Sequence, residues 1–141
     1  PPLGNRGASG FTRATQYGQT NFAQHTKFTN DKLFVSLLIE DKEGLENAAD
    51  IAAVDGVDCV YYGTYDIASS LKIEDQAGNE LQEIIKTSIN ALEDKRVTFG
   101  QVAVDYEQFD SLDERINFVP CGVDCGIIFA GAKKFVMVLK I

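Results

Sequence analysis

Two acidic residues stand at the ends of two apolar stretches, one strand–helix unit apart. Residues 34–40 form a run of β-branched and aromatic residues that ends at Glu40, and residues 57–66 form a second run that ends at Asp66. Residues 43–54 between them have the apolar pattern of a short helix. Parallel strands bring their carboxyl ends to one edge of a sheet. Two carboxylates at that edge, with no basic residue directly beside either one, predict a site for a hard divalent cation such as Mg²⁺ or Mn²⁺.

Length, charge and cysteine content limit the classes of protein that fit. The 141 residues suffice for one core and are too few for two ordinary domains. The net charge of −8 argues against nucleic acid and anionic membranes as partners, because both require a basic surface. The apolar run 135–139 is too short to cross a bilayer. Three cysteines in apolar contexts predict reduced thiols and a cytoplasmic location, and Cys121 and Cys125 have only Asp124 nearby as a further zinc ligand.

The rest of the chain repeats the strand–helix order. Residues 1–18 predict a glycine-rich surface or active-site loop with a short helix at 10–17, and residues 67–78 predict a polar loop. One helix is predicted at 20–31, and another begins at Asn79 and has Leu81, Ile85 and Ile89 on its apolar face. A short helix is predicted after the capping residue Asp105, and a final helix from the capping residue Asp124 to Leu139. Strands are predicted at 96–104 and 116–123. Four units of this kind indicate an α/β fold with a parallel sheet and right-handed crossovers.

Four strand–helix units amount to half of a (β/α)8 TIM barrel. We therefore predict that residues 34–139 are the last four units of such a barrel, with residues 1–31 as a loop and helix leading in. Four parallel strands alone would leave two edges and one face uncovered. Because the chain begins at Pro1 rather than Met, an N-terminal half-barrel is expected upstream, or copies of the chain close against each other. The largely apolar final helix is expected to lie in a homo-oligomer interface, with completion of a local core as the alternative.

Four segments carry a family resemblance in their order and spacing. Residues 1–7 are similar to a P-P-x-G-x-R-G segment, and residues 38–40 to a strand that ends in glutamate. Residues 56–68 resemble a G-V-D…G-x-x-D-[LI]-[SA] signature, and residues 118–124 a last strand that ends in G-V-D. Together these segments, which extend over essentially the whole chain, resemble the HpcH/HpaI aldolase and citrate lyase family.

The resemblance implies a metal-dependent barrel that acts on pyruvate-type 2-oxo acids, cleaving or forming the carbon–carbon bond next to pyruvate. It implies that Glu40 and Asp66 hold Mg²⁺ or Mn²⁺. It also implies that the backbone amides of the turn formed by Gly63, Thr64, Tyr65 and Asp66 hold the substrate carboxylate. Such a cation would bind the keto and carboxylate oxygens and take up charge as the enolate develops.

Several positions depart from the family pattern. Thr64 and Tyr65 stand where the family has proline and alanine, and Leu38 stands where it has glutamine. These departures keep alternatives open: a non-catalytic homologue or binding module, or an enzyme on the same barrel that handles phosphoenolpyruvate or phosphonates. Gly63 has its own alternative, since a glycine there can simply permit unusual backbone angles in the turn.

The catalytic residues are not assigned within this chain. The family's base histidine and substrate-binding arginine lie on early strands, which the chain does not contain. Neither role is transferred to His25, Arg6 or Arg13, because they stand in the wrong segment. The chain alone is therefore expected to be inactive as a lyase.

Overall fold

The computed structural model describes residues 4–76 and 78–139, with the side chains of the last helix described as far as Met137. Pro1–Leu3, which open the segment resembling P-P-x-G-x-R-G, lie outside the described residues. The chain divides into two compact units, Pro1–Phe34 and Val35–Ile141.

The first unit contains a 3-10 helix at Arg13–Gly18 and the helix α1 at Phe22–Lys32. Both predicted helices of this segment are thus confirmed, with shifted ends. The buried Thr15 hydroxyl donates to the Gly10 carbonyl at 2.6 Å, which ties the 3-10 helix to the loop before it. Asn21 caps α1, accepting a hydrogen bond from the backbone N–H of Gln24 at 3.1 Å.

The second unit is built on a parallel sheet. Its described strands are β1 (Ser36–Ile39), β2 (Cys59–Tyr62), β3 (Thr98–Gln101) and β4 (Ile116–Phe118), adjacent in chain order. The pairings β1–β2, β2–β3 and β3–β4 are all parallel, which confirms the predicted α/β architecture. Each strand is shorter than the apolar run that predicted it.

Helices connect successive strands and follow the last one. They are α2 (Lys42–Glu46), α3 (Ala48–Ala52), α4 (Thr64–Leu71), α5 (Asn79–Ala91), α6 (Tyr106–Ser111) and α7 (Asp124–Leu139). Asp41 and Asp105 cap α2 and α6, accepting the N–H groups of Gly44 at 2.7 Å and Gln108 at 2.9 Å. Asp105 as a cap is thereby confirmed. Asp124 is instead the first residue of α7, where its carboxylate accepts the N–H of Cys125 at 2.7 Å.

Two predictions of local structure were wrong. The single helix at 43–54 is divided into α2 and α3, because Asn47 leaves the helical conformation at φ −98°, ψ 6°. The polar loop predicted at 67–78 begins instead with most of α4. Ile67, Ala68 and Leu71 share one helical face, but the serines and lysine around them concealed that spacing.

Helices cover one face of the sheet. Leu81, Ile85 and Ile89, the predicted apolar face of α5, are all buried. They belong to one core with Ile39 and Tyr62 from the strands. Burying side chains of this size contributes about 1.5–3 kcal/mol each.

Tyr62 is buried in this core with its hydroxyl satisfied. That hydroxyl donates to Ser88 Oγ on α5 at 3.0 Å. Burial raises the pKa of Tyr62, and its hydrogen bond with Ser88 partly opposes the rise. The tyrosine therefore stays neutral and joins β2 to α5 by one polar contact.

The opposite face of the sheet is open to solvent, as predicted. Leu38 and Phe118 on this face are 49% and 38% exposed, and the half-buried Tyr61 lies between their strands. The Tyr61 and Phe118 rings meet edge to face over Gly100, with centroids 6.1 Å apart. A Cβ on Gly100 would lie 2.6 Å from the Tyr61 ring, so only glycine fits beneath this pair.

The last helix, α7, is also exposed. Apolar side chains along it are between 64% and 71% exposed: Ile127, Ile128, Phe129, Phe135 and Met137. The alternative that α7 completes a local core is therefore wrong for these residues; the side chains of Val138 and Leu139 lie outside the described ones. No helix in the described part of the chain is long and apolar enough to cross a membrane.

Candidate metal and substrate site

The register of β1 and β2 places Glu40 at the edge where β2 enters α4. Ile39 is paired with Tyr62, so the residues that follow, Glu40 and Gly63, leave the sheet at the same level. The Gly63 N–H donates to the Ile39 carbonyl at 2.9 Å and extends the pairing by one step. Glu40 is exposed, and its side chain lies over Gly63.

Gly63 has a steric role at this edge. Its φ of −82° and ψ of 85° keep it out of the left-handed region, so unusual backbone angles do not explain the glycine. A Cβ there would lie 3.1 Å from Glu40 Cγ, 3.5 Å from the Ile39 carbonyl oxygen and 3.6 Å from Leu38 Cδ1. The glycine thus leaves the space that the Glu40 side chain occupies.

The predicted substrate turn is the first turn of α4 rather than a loop after a strand. Thr64 is buried, whereas Tyr65 and Asp66 are exposed. The first N–H groups of a helix have no acceptor within it, and the helix dipole adds positive potential there. Gly63, the residue before the helix, makes no side-chain cap. The amides of Thr64, Tyr65 and Asp66 therefore have no acceptor within α4, whereas the Gly63 amide is already bonded to the Ile39 carbonyl.

The two predicted metal ligands are unpaired carboxylates. Neither the Glu40 nor the Asp66 carboxylate makes a hydrogen bond or ion pair with another described residue. Within residues 4–76 and 78–139, no three His, Cys, Asp or Glu side chains group closely enough to hold a metal ion. Two exposed carboxylates without a third protein ligand fit Mg²⁺ or Mn²⁺, which keep several bound waters, and do not fit a dehydrated ion.

The positions that depart from the family pattern lie at the same edge. Leu38 approaches the space above Gly63 with an apolar side chain, which offers no hydrogen bond to a polar ligand. The Tyr65 ring is half exposed and lines a neighbouring cavity together with Thr64. Tyr65 thus borders that cavity while about half of its surface stays exposed.

The other singled-out side chains have ordinary surroundings. His25 lies half-buried on α1, with its Nε2 3.5 Å from Thr29 Oγ1. Cys59, the first residue of β2, is buried, and burial raises the pKa of its thiol. Cys121 and Cys125 are exposed free thiols.

One polar residue near this edge was missed by sequence reasoning. Gln101, the last residue of β3, is paired with Tyr62 and is only 3% exposed. It lines the cavity that Thr64 and Tyr65 also border. The available signal was a single glutamine inside an otherwise apolar strand, which predicts a polar group buried beneath helices.

Comparison with known proteins relates the chain to a described family. The family model for HpcH/HpaI aldolase/citrate lyase matches residues 5–130. A protein of Klebsiella pneumoniae named 2-keto-3-deoxy-L-rhamnonate aldolase is 35% identical over 127 residues, which is 88% of this chain and 47% of the relative. Its namesake from Shigella dysenteriae is 38% identical over 128 residues, with the same coverage. The chain thus spans about half the length of the curated relatives it matches.

Solved structures agree on the fold. A HpcH/HpaI aldolase/citrate lyase family protein from Burkholderia cenocepacia superposes with a TM-score of 0.82 at 22% identity, covering 99% of this chain and 55% of that protein. The HpcH/HpaI aldolase of Desulfitobacterium hafniense gives a TM-score of 0.81 at 23% identity, with the same coverage. At these identities the likeness concerns the fold alone, and the chain corresponds to half of that fold.

Proposed function

This chain belongs to the HpcH/HpaI aldolase/citrate lyase family, and from that premise we propose that it supplies the metal site of a carbon–carbon lyase. The reaction would cleave or form a bond to a pyruvate-type 2-oxo acid. The observation that supports this most is the unpaired Glu40 carboxylate lying over Gly63, beside the uncapped first turn of α4. Parallel pairing of β1 and β2 brings these groups to one edge, where α/β folds bind their ligands.

Each residue at this edge has a proposed role. Glu40 and Asp66 would hold the divalent cation, which when bound supplies positive charge that stabilises negative charge developing on the substrate. The amides of Thr64, Tyr65 and Asp66 would donate to the substrate carboxylate, in the manner of helix N-termini that bind anions. Gly63 would contribute space rather than a donor, since its N–H is bonded to Ile39. A base and a substrate-binding arginine would come from outside this chain.

Leu38 favours a second candidate, a homologue that keeps the barrel without the chemistry. An apolar side chain next to Gly63 removes a hydrogen-bonding group from the edge where the substrate would bind. In that case the protein would bind a ligand or assemble without turnover. The same experiment separates the two candidates.

The test measures exchange of the pyruvate methyl protons with solvent deuterium, in the presence of Mg²⁺, by the native protein that contains this chain. Glu40→Gln and Asp66→Asn should each reduce exchange by about 100-fold or more, because one carboxylate competes poorly with the hydration of Mg²⁺. The exposed Asp50→Asn on α3 is the matched control and should leave exchange unchanged. Without Mg²⁺, all three variants should keep the melting temperature of the wild type.

Two outcomes would contradict this assignment. Unchanged exchange in Asp66→Asn would remove the metal site, and absence of exchange in the wild-type protein would favour the non-catalytic homologue. Residues 1–141 alone should show no exchange. If they did, the base would lie within this chain.

The open sheet face and α7 support a proposal about partners. A second half-barrel would cover Leu38, Tyr61 and Phe118, and a second copy of the protein would cover α7, whose apolar side chains are exposed. Phe135→Asp should therefore lower the oligomeric state of the native protein in sedimentation, whereas Lys133→Asp on the same helix should not. An unchanged oligomer in Phe135→Asp would rule out α7 as the interface. A cytoplasmic location stays a prediction from the cysteines.

A further inference from the structure

A cavity lies beside the candidate site, at the carboxyl ends of β2 and β3. It is lined by the first turn of α4, the segment 74–76, α5 and α6, and its volume is about 240 Å³. That is enough for a small organic molecule. Neither Glu40 nor Asp66 is among its described lining residues, so the cavity is separate from the proposed metal site.

Gln101, one of the residues that line the cavity, has a buried hydrogen-bond acceptor with no partner among the described residues. Gln101 is 3% exposed, and its Nε2 donates to Gln82 Oε1 on α5 at 3.4 Å. Gln101 Oε1 is buried and accepts no hydrogen bond from any described residue. A buried carbonyl oxygen of this kind is costly to leave unsatisfied, so it favours a ligand that donates a hydrogen bond.

The charge of the lining selects the kind of donor. Glu74 and Asp75 border the cavity, and its described lining includes no lysine, arginine or histidine. Ser111 and Thr64 contribute further polar groups. This lining attracts a cation and repels an anion, so it opposes the 2-oxo acid proposed for the neighbouring site.

From this arrangement we propose that the cavity binds a small primary ammonium compound. One N–H of the ammonium group donates to Gln101 Oε1, and the Glu74 carboxylate at the mouth balances its positive charge. The remaining atoms of the ligand occupy the space between Thr64 and Ser111. This inference does not depend on the lyase activity, because Gln101 and Glu74, which would hold the ammonium group, take no part in the proposed metal and substrate site.

The test uses three two-carbon probes that differ mainly in charge: ethanolamine, ethylene glycol and glycolate. Each is titrated into the ¹⁵N-labelled native protein, and the side-chain amide resonances of Gln101 are followed. Ethanolamine should give saturable shifts, with a dissociation constant on the order of 1 mM for so small a ligand. It should bind about tenfold more tightly than ethylene glycol, because a charge-assisted hydrogen bond exceeds a neutral one. Glycolate should not bind.

Variants assign the binding to this cavity. Gln101→Met removes the acceptor at nearly constant volume and should abolish the saturable shifts of neighbouring backbone amides. Gln24→Met, an exposed glutamine on α1, should leave them unchanged. Glu74→Gln, at an exposed position that does not endanger folding, should weaken ethanolamine about threefold or more and leave ethylene glycol unaffected.

The outcomes decide the proposal. The proposal is supported if Gln101→Met abolishes ethanolamine binding. If Gln101→Met does not fold, weaker ethanolamine binding in Glu74→Gln supports the proposal. Glycolate or ethylene glycol binding as tightly as ethanolamine overturns the proposed ligand class. No saturable shift with any probe up to about 100 mM overturns the site and leaves a cavity that holds only water.

Discussion

Asp113 has surroundings opposite to those of Glu40 and Asp66, although all three are acidic residues of the second unit. Between α6 and β4, Asp113 accepts hydrogen bonds from Arg115 Nε at 2.8 Å and from the Arg115 backbone at 3.0 Å, and pairs with the second guanidinium nitrogen at 2.8 Å. Arg115 also donates to Asn90 Oδ1 on α5 at 2.8 Å. At the edge of β1 and β2, the Glu40 and Asp66 carboxylates have no partner among the described residues.

The difference separates a structural carboxylate from one that is available to a ligand. Every oxygen of Asp113 is used within the chain, and its partner Arg115 connects the segment before β4 to α5. Glu40 has a glycine opposite it instead of an arginine, and Asp66 stands in an uncapped first turn. Acidic residues that the fold leaves unpaired at a strand end are the better candidates for metal ligands.

The largest expected effect concerns metal-dependent stability. At 100 times its dissociation constant, Mg²⁺ should stabilise the native protein by about 2.7 kcal/mol and raise its melting temperature by roughly 5–10 °C. Asp66→Asn should abolish this rise because it removes one of two ligands. Asp113→Asn should lower the melting temperature without metal and keep the rise. Calorimetry with and without Mg²⁺ measures these melting temperatures. An equal rise in wild type, Asp66→Asn and Asp113→Asn would refute the contrast between Asp113 and the unpaired carboxylates.

A smaller effect is expected from closing the space under Glu40. Gly63→Ala places a Cβ about 3.1 Å from Glu40 Cγ, so the glutamate has to shift by a few tenths of an ångström. The fold tolerates this because the side chain is exposed, but Mg²⁺ affinity should fall about tenfold, since ligand positions within roughly 0.5 Å matter. Gly126→Ala on α7 is the control, because a Cβ there meets nothing within 4 Å. Isothermal titration that gives equal affinity for both variants would disprove the steric role of Gly63.

How much of the fold and of the candidate site the sequence predicts depends on how far apart in the chain the contributing residues lie. The parallel sheet follows from alternation of strands and helices along the chain and was predicted from it. The same alternation predicted a shared edge for Glu40 and Asp66, and the register of β1 and β2 places Glu40 level with Gly63, three residues before Asp66. The start of α4 at Thr64 was missed, because polar residues conceal a short helix whose stability comes from packing. Gln101 in its cavity and Arg115 beside Asn90 depend on register between distant elements, which local patterns do not specify.

The smallest expected effect is a dependence of stability on pH that comes from Asp113. The hydrogen bonds from Arg115 lower the pKa of Asp113 from 3.8 to about 2 in the folded protein. Above pH 4 the carboxylate is ionised in both the folded and the unfolded chain, so the pair contributes fully. As the pH falls from about 4 to 2, the unfolded chain takes up the proton first, and this contribution is lost. The melting temperatures of wild type and Asp113→Asn should therefore converge over this interval, and Arg115→Met should remove the same pH-dependent part. A gap between wild type and Asp113→Asn that stays constant from pH 5 to pH 2 would show that Arg115 does not hold Asp113 in its ionised form.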